Sequence, residues 1–185
     1  MSSSISLWRK NPPRMTREEC IRDFIEMMRP YGFYISHGEG SPYVYLNLNE
    51  DELWISPIFN IGLEDYPTAT VNSADYYEAV YIECIGSFYP DDFDTDEYTP
   101  EDIGRFNLIR SDIIMKAVTA YMDKYPDSLF YVTSDTPFYD KQDIDNAAAQ
   151  PLKAEWFYDM QTHLNTERLD DKNEGWYHYR TEGLE

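Results

Sequence analysis

Asp92, Asp94 and Asp96 stand at alternate positions, the spacing of the first three ligands of an EF-hand calcium loop. Such a loop also needs glycine at its sixth position for the turn and a bidentate glutamate at its twelfth. Here those positions hold Glu97 and Ile103, so the run does not form that site. A second chemistry open to carboxylates is acid–base or nucleophilic hydrolysis by a close pair. With thirty-five Asp and Glu in the chain, some pair is close by number alone. Only a raised carboxyl pKa inside a concave pocket would single one out. His37, His163 and His178 are scattered, and no HExxH, paired CxxC or cysteine–histidine cluster accompanies them. Gly38-Glu39-Gly40 puts an acid where a phosphate cradle needs none, and neither GxxxxGK[ST] nor GxSxG occurs. Cys20 and Cys84 lie far apart among apolar residues and away from histidine, which points to buried free thiols in a reducing compartment. No cofactor and no metal is expected.

What the carboxylates do offer is a field. Between Arg29 and Arg105 there is no lysine or arginine, yet Pro30 to Gly104 contains sixteen carboxylates. The chain carries −20 in total, so the remainder, fifteen positive against nineteen negative charges, contributes only −4. The densest part is Pro90 to Tyr98, PDDFDTDEY. Localised acid of this kind repels nucleic-acid phosphate and attracts a basic surface. It also differs from a salt-adapted surface, which would be acidic all over. Aromatic residues are interleaved with it, and these supply the large, low-entropy anchors of protein interfaces. The expected partner-binding residues are Glu50, Asp51, Glu52, Trp54, Tyr89, Asp91, Asp92, Phe93, Asp94, Asp96, Glu97 and Tyr98, with Tyr43 and Tyr45 as further aromatic candidates.

The elements that must display these residues follow from local pattern. Residues 1–15 read as a flexible basic arm, kept extended by Pro12-Pro13, with folding back onto the acidic block as the alternative. Thr16 with Glu19 makes a capping box for a helix that Pro30 and Gly32 stop. Phe33 to His37, Tyr43 to Leu48 and Glu52 to Ile55 read as an antiparallel meander. In its middle strand Val44, Leu46 and Leu48 face inward, while Tyr43, Tyr45 and Asn47 face out. Gly62 to Thr70 reads as loop. Tyr76 to Ile85 suits either a helix capped by Ser73 or a strand, and spacing and length favour the helix. Thr99 caps a long helix from Pro100 to about Lys124, with Ile103, Phe106, Ile109, Ile113, Ala117 and Tyr121 as its main apolar stripe. A short strand over Leu129 to Thr133 comes next, then a turn or strand edge over Asp135 to Tyr139. Helices are expected over Asp140 to Gln150 and Pro151 to Leu164.

The expected fold is a single α+β domain over residues 16–164, an antiparallel meander packed on a long central helix with flanking helices. A polar tail follows over residues 165–185. No apolar run approaches the roughly eighteen residues of a membrane span, and Met1 to Lys10 lacks the pattern of a signal peptide, so a cytoplasmic protein is expected. The expected function is a non-catalytic, acidic protein that neutralises a basic protein, most simply a bacterial immunity protein blocking a toxin. The alternatives are a phage-type nucleic-acid mimic that inhibits a defence enzyme and a carboxylate-dependent hydrolase. Neither direct nucleic-acid binding nor membrane association is expected.

Overall fold

The structure, a computed structural model, describes residues 5–10, 15–48, 57–64, 67–83, 98–132, 137–154, 156–157, 160, 163 and 179–181, the last three by backbone alone. It is an α+β domain with one antiparallel sheet. The strands are β1 (Ile5–Lys10), β2 (Tyr34–His37), β3 (Tyr43–Asn47), β4 (Ile58–Ile61), β5 (Pro67–Val71), β6 (Ala74–Glu83), β7 (Leu129–Tyr131) and β8 (Tyr179–Thr181). They pair in the order β2-β3-β4-β6-β1-β7, with β5 also on β6 and β8 on β5. Three α-helices are delimited among the described residues: α1 (Arg17–Met28), α2 (Pro100–Lys124) and α3 (Lys141–Ala148). Among the described residues no helix is long and apolar enough to cross a membrane.

All three helices begin at reciprocal capping boxes, Thr16 with Glu19, Thr99 with Asp102 and Asp140 with Asp143. In each, the cap side chain takes an orphan amide of the first turn while the acid returns to the cap amide. The backbone beyond α1 makes one 3-10 turn at Arg29–Tyr31 and leaves through Gly32 at φ +71. The long helix matches its expected span, and its widened stripe is buried at Ile113, Ile114, Ala117, Val118, Tyr121 and Met122. Together with Phe24 and Met28 of α1, these cover one face of the sheet through Ile5, Leu7, Val44, Leu46, Phe59, Val80 and Ile82. Trp156 closes the same core. It stacks on Phe130 at a centroid distance of 5.6 Å, and its Nε1 donates to the Ser111 carbonyl at 3.0 Å. Phe157 and Met160 are buried beside it, but the helix expected from Pro151 is not present at residues 151–154 or 156–157, which are turn or irregular, and helical backbone is seen at Met160 and His163.

Three expectations are corrected. The amino-terminal arm is not loose: residues 5–10 form β1, the strand between β6 and β7, with Ile5, Ser6, Leu7 and Trp8 essentially inaccessible. Alternating Ile5 and Leu7 against Ser6 and Trp8 places apolar side chains on both faces, and this outweighs the loosening effect of a chain end. Second, Tyr76 to Glu83 belongs to a strand, not a helix. Asn72 and Ser73 both adopt positive φ, 50 and 64, so Val71-Asn72-Ser73-Ala74 is the two-residue turn of a hairpin and Ser73 caps nothing. Buried on both faces, the strand lacks the period-two signature that marks a half-exposed one. Third, the span read as loop from Gly62 to Thr70 contains β5, the other arm of that hairpin. The expected strand at Glu52 to Ile55 lies outside the described residues, and β4 begins after Pro57.

The second face of the sheet has its own aromatic cluster. Trp8 meets Phe138 and Tyr131 edge-on, at centroid distances of 5.4 and 6.1 Å, with Ala69 and Val71 packed beside them. The middle strand alternates between the two faces as expected, with Val44 and Leu46 buried in the helix-covered core and Tyr43 exposed on the other side. The end of the strand corrects the expectation: Leu48, expected to face inward, follows the last residue of β3 and is exposed, whereas Asn47, expected to face out, is fully buried.

Candidate functional site

Of the twelve expected partner-binding residues, the structure describes one. Tyr98 precedes the cap of α2 and packs edge-on against Phe106, with ring centroids 5.8 Å apart, so its ring is engaged by the helix it introduces. Glu50, Asp51, Glu52, Trp54, Tyr89, Asp91, Asp92, Phe93, Asp94, Asp96 and Glu97 lie outside the described residues.

The described carboxylates of the acidic block are spread over several elements. Glu39 sits in the β2–β3 turn, Glu64 after β4, Asp75 in the β5–β6 hairpin, Glu78 and Glu83 along β6, and Glu101 and Asp102 in the first turn of α2. Several are engaged locally. Glu64 pairs with Arg17 at 3.0 Å, and Asp75 accepts from the Thr70 hydroxyl at 2.8 Å. Asp102 is held below the usual carboxylate range by its hydrogen bonds from Thr99. The tyrosine face does assemble. Register places Tyr34 opposite Asn47, Tyr45 opposite Ser36, and Tyr43 opposite Asn60, which in turn faces Tyr81. Tyr34 and Tyr43 are exposed there, on the face away from α1 and α2.

A feature that the sequence did not reveal lies where β6 changes register. Leu7 pairs with Val80, but Trp8 pairs with Glu78, so Ala79 is an extra residue, a β-bulge. On the other edge of β6, β5 pairs as far as Tyr77 and β4 resumes at Val80. The gap is bridged by Gly62, whose N–H donates to the Ala79 carbonyl at 3.2 Å. Arg17 Nε donates to the Gly62 carbonyl at 3.1 Å. Gly62 has φ +65, and a Cβ there would sit 2.8 Å from the Arg17 Cα, so both the backbone angle and the close approach demand glycine.

A pocket of about 130 Å³ opens at this gap, lined by residues that include Arg17, Cys20, Glu64, Tyr77 and Glu78. Glu78 is nearly inaccessible, and burial pushes its carboxyl up to about 7, against an opposing hydrogen bond from the Ser6 hydroxyl. Ser6 Oγ in turn accepts from Trp8 Nε1 at 2.7 Å, which ties the carboxyl to the aromatic cluster. Cys20 is a free thiol whose pKa is raised by burial, so it is not activated as a nucleophile. Cys84 lies outside the described residues.

The histidines do not converge. His37 Nε2 lies 2.8 Å from the Ser41 carbonyl in the β2–β3 turn. His163 is buried with Nε2 3.0 Å from the Ala147 carbonyl, an arrangement that requires Nε2 to carry the proton. Among the described residues no group of three or more His, Cys, Asp or Glu side chains is placed to hold a metal ion. No protein-family model, no curated protein and no solved structure matches the chain, and its chemistry has to be read from its own residues.

Proposed function

We propose that the protein is a non-catalytic binding protein that uses its acid–aromatic block to capture and neutralise a basic protein, in the manner of a cytoplasmic bacterial immunity protein blocking a toxin. The observation that carries this reading is the placement of charge: −16 of the total −20 falls in seventy-five consecutive residues without one lysine or arginine. A field of that kind speeds encounter with a cationic surface by roughly ten- to a thousandfold at low salt. The exposed tyrosines Tyr34 and Tyr43 support it, since tyrosine gives an interface large area at small entropic cost.

The test is affinity capture of partners from the native cell across a salt series, repeated with Asp91, Asp92, Asp94, Asp96 and Glu97 changed together to Asn or Gln. The wild type should retain a basic protein at low salt and release it as salt rises. The five-fold variant should bind it at least tenfold more weakly while unfolding like the wild type. Undiminished binding by that variant would remove the acid run from the interface.

A second reading, carboxylate-dependent hydrolysis, has one observation in its favour: Glu78 combines a raised pKa with a pocket. Two features weigh against it. The other carboxylate on that pocket, Glu64, is engaged by Arg17, and about 130 Å³ falls below the roughly 300–1,000 Å³ of ordinary ligand pockets. The space suits a few waters better than a substrate.

A further inference from the structure

A cleft of about 310 Å³ runs between α1 and the β2–β3 turn, within the size range of small-ligand pockets. Ile21 and Ile25, one helical turn apart, give it an apolar wall. Arg22 and Arg29, two turns apart on the same side of α1, stand at its rim, with His37 across from them. We infer that this cleft binds a small amphipathic monocarboxylate, its apolar body against Ile21 and Ile25 and its carboxylate taken by Arg22 and Arg29. This proposal does not depend on the acidic surface proposed above.

Carboxylates outnumber lysine and arginine thirty-five to fifteen, so most cations have a carboxylate available to them. Arg17, Lys116, Lys124 and Lys141 each pair with a carboxylate. Among the described residues Arg22 and Arg29, like Arg9 and Lys10, make no ion pair within 4.0 Å, but Arg22 and Arg29 alone of these four border the cleft, and both are exposed. Arg22 reaches Glu19 only as a minor through-space influence, behind the hydrogen bonds from Thr16 that set that carboxyl's pKa. A guanidinium fork matches a carboxylate bidentately, and its two flexible stems can converge on one anion.

Glu18 and Glu26 border the same cleft, and they decide the charge of the ligand. They offset part of the arginine charge, so a dianion such as a phosphate monoester meets repulsion that a single carboxylate largely avoids. The acidity of the rest of the chain is screened beyond about 8 Å at physiological ionic strength, which leaves these nearby groups to determine selectivity.

The test is titration of the full-length protein, followed by calorimetry and by amide chemical shifts, with decanoate, 1-decanol and decyltrimethylammonium as probes. Decanoate should bind saturably at one site and several-fold more tightly than decanol. The double variant Arg22→Gln, Arg29→Gln should lose about three- to tenfold in decanoate affinity with an unchanged unfolding midpoint, the range spanned by exposed and charge-assisted pairs. Glu26→Gln should tighten decanoate binding. Equal binding of decanol, tighter binding of the ammonium probe, or a double variant that binds decanoate like the wild type would overturn the assignment.

Discussion

Replacing Glu78 with glutamine isolates the energetic consequence of the bulge. The carboxyl titrates near 7 in the folded chain and near 4.5 when exposed, so between those values the folded protein holds a proton that the unfolded one has released. The folded state therefore binds more protons over this window, and the contribution of Glu78 to stability falls as pH rises from about 4.5 to about 7, then levels off. At about 1.4 kcal/mol per pKa unit the full swing is about 3 kcal/mol, and about 2.5 kcal/mol of it falls between roughly pH 5 and pH 8. Glutamine keeps the size and an acceptor for the Ser6 hydroxyl but cannot ionise. Urea unfolding of both proteins across this range supplies the measurement. Other carboxylates titrate equally in the two proteins, so subtraction removes them. The wild type should lose stability relative to the variant by about 2–3 kcal/mol as pH rises across that interval. A difference that is flat with pH would show that Glu78 is solvated like a surface carboxylate, and the description of the buried relay from Trp8 through Ser6 would fail with it. The same variant bears on the hydrolytic reading, since an acid–base role for this carboxyl requires that any hydrolytic activity vanish with it.

Two further substitutions probe the elements around that site. Leu7→Ala should cost about 2–5 kcal/mol in urea unfolding, as a fully buried leucine does, whereas a residue in a loose arm would cost less than about 0.5 kcal/mol. Gly62→Ala should destabilise by about 2–4 kcal/mol, because an L residue is strained at φ +65 and its Cβ meets the Arg17 backbone; an unchanged midpoint would mean that the close approach is not maintained in solution.

Local chemistry was legible where it is self-contained. The capping box of Thr16 with Glu19, and Thr99 followed by Pro100 and two first-turn acids, announce helix starts because every part of each signal lies within four residues. The alternation of Val44 and Leu46 with Tyr43 and Tyr45 announces a strand with one wet face. Elements whose identity depends on distant partners were not legible. Ile5 to Trp8 carries apolar side chains on both faces, a pattern that makes sense only between β6 and β7, and the nearby Pro12-Pro13 pulls the reading towards a loose end. Asn72-Ser73 makes its turn without the glycine that usually marks one. Glu78 reads as one acid among thirty-five. Its special state arises from a register shift against β1 and a break between β4 and β5, and both of those are non-local.

The arm also carries positive charge, and its placement bears on whether the acidic block is neutralised from within. Pairing β1 with β6 brings Arg9 and Lys10 into the same sheet as part of that block, but the contact is through backbone. The Arg9 guanidinium instead lies 3.8 Å from the centre of the Tyr125 ring, and its Nη1 donates to the Met15 sulfur at 3.4 Å. Asp23, close by, takes both the Tyr125 hydroxyl and Lys124, and so joins α1 to the end of α2. Lys116 and Lys141 likewise pair with Asp112, Asp123 and Asp145, all outside the block. Among the ion pairs between described residues, one engages a block carboxylate, that of Arg17 with Glu64. Those cations are thus committed mostly to joining and steadying the helices, where each serves a carboxylate within reach of its own element. Under the proposed function, a partner arriving with its own lysines and arginines would therefore not compete with these particular cations for the described block carboxylates other than Glu64.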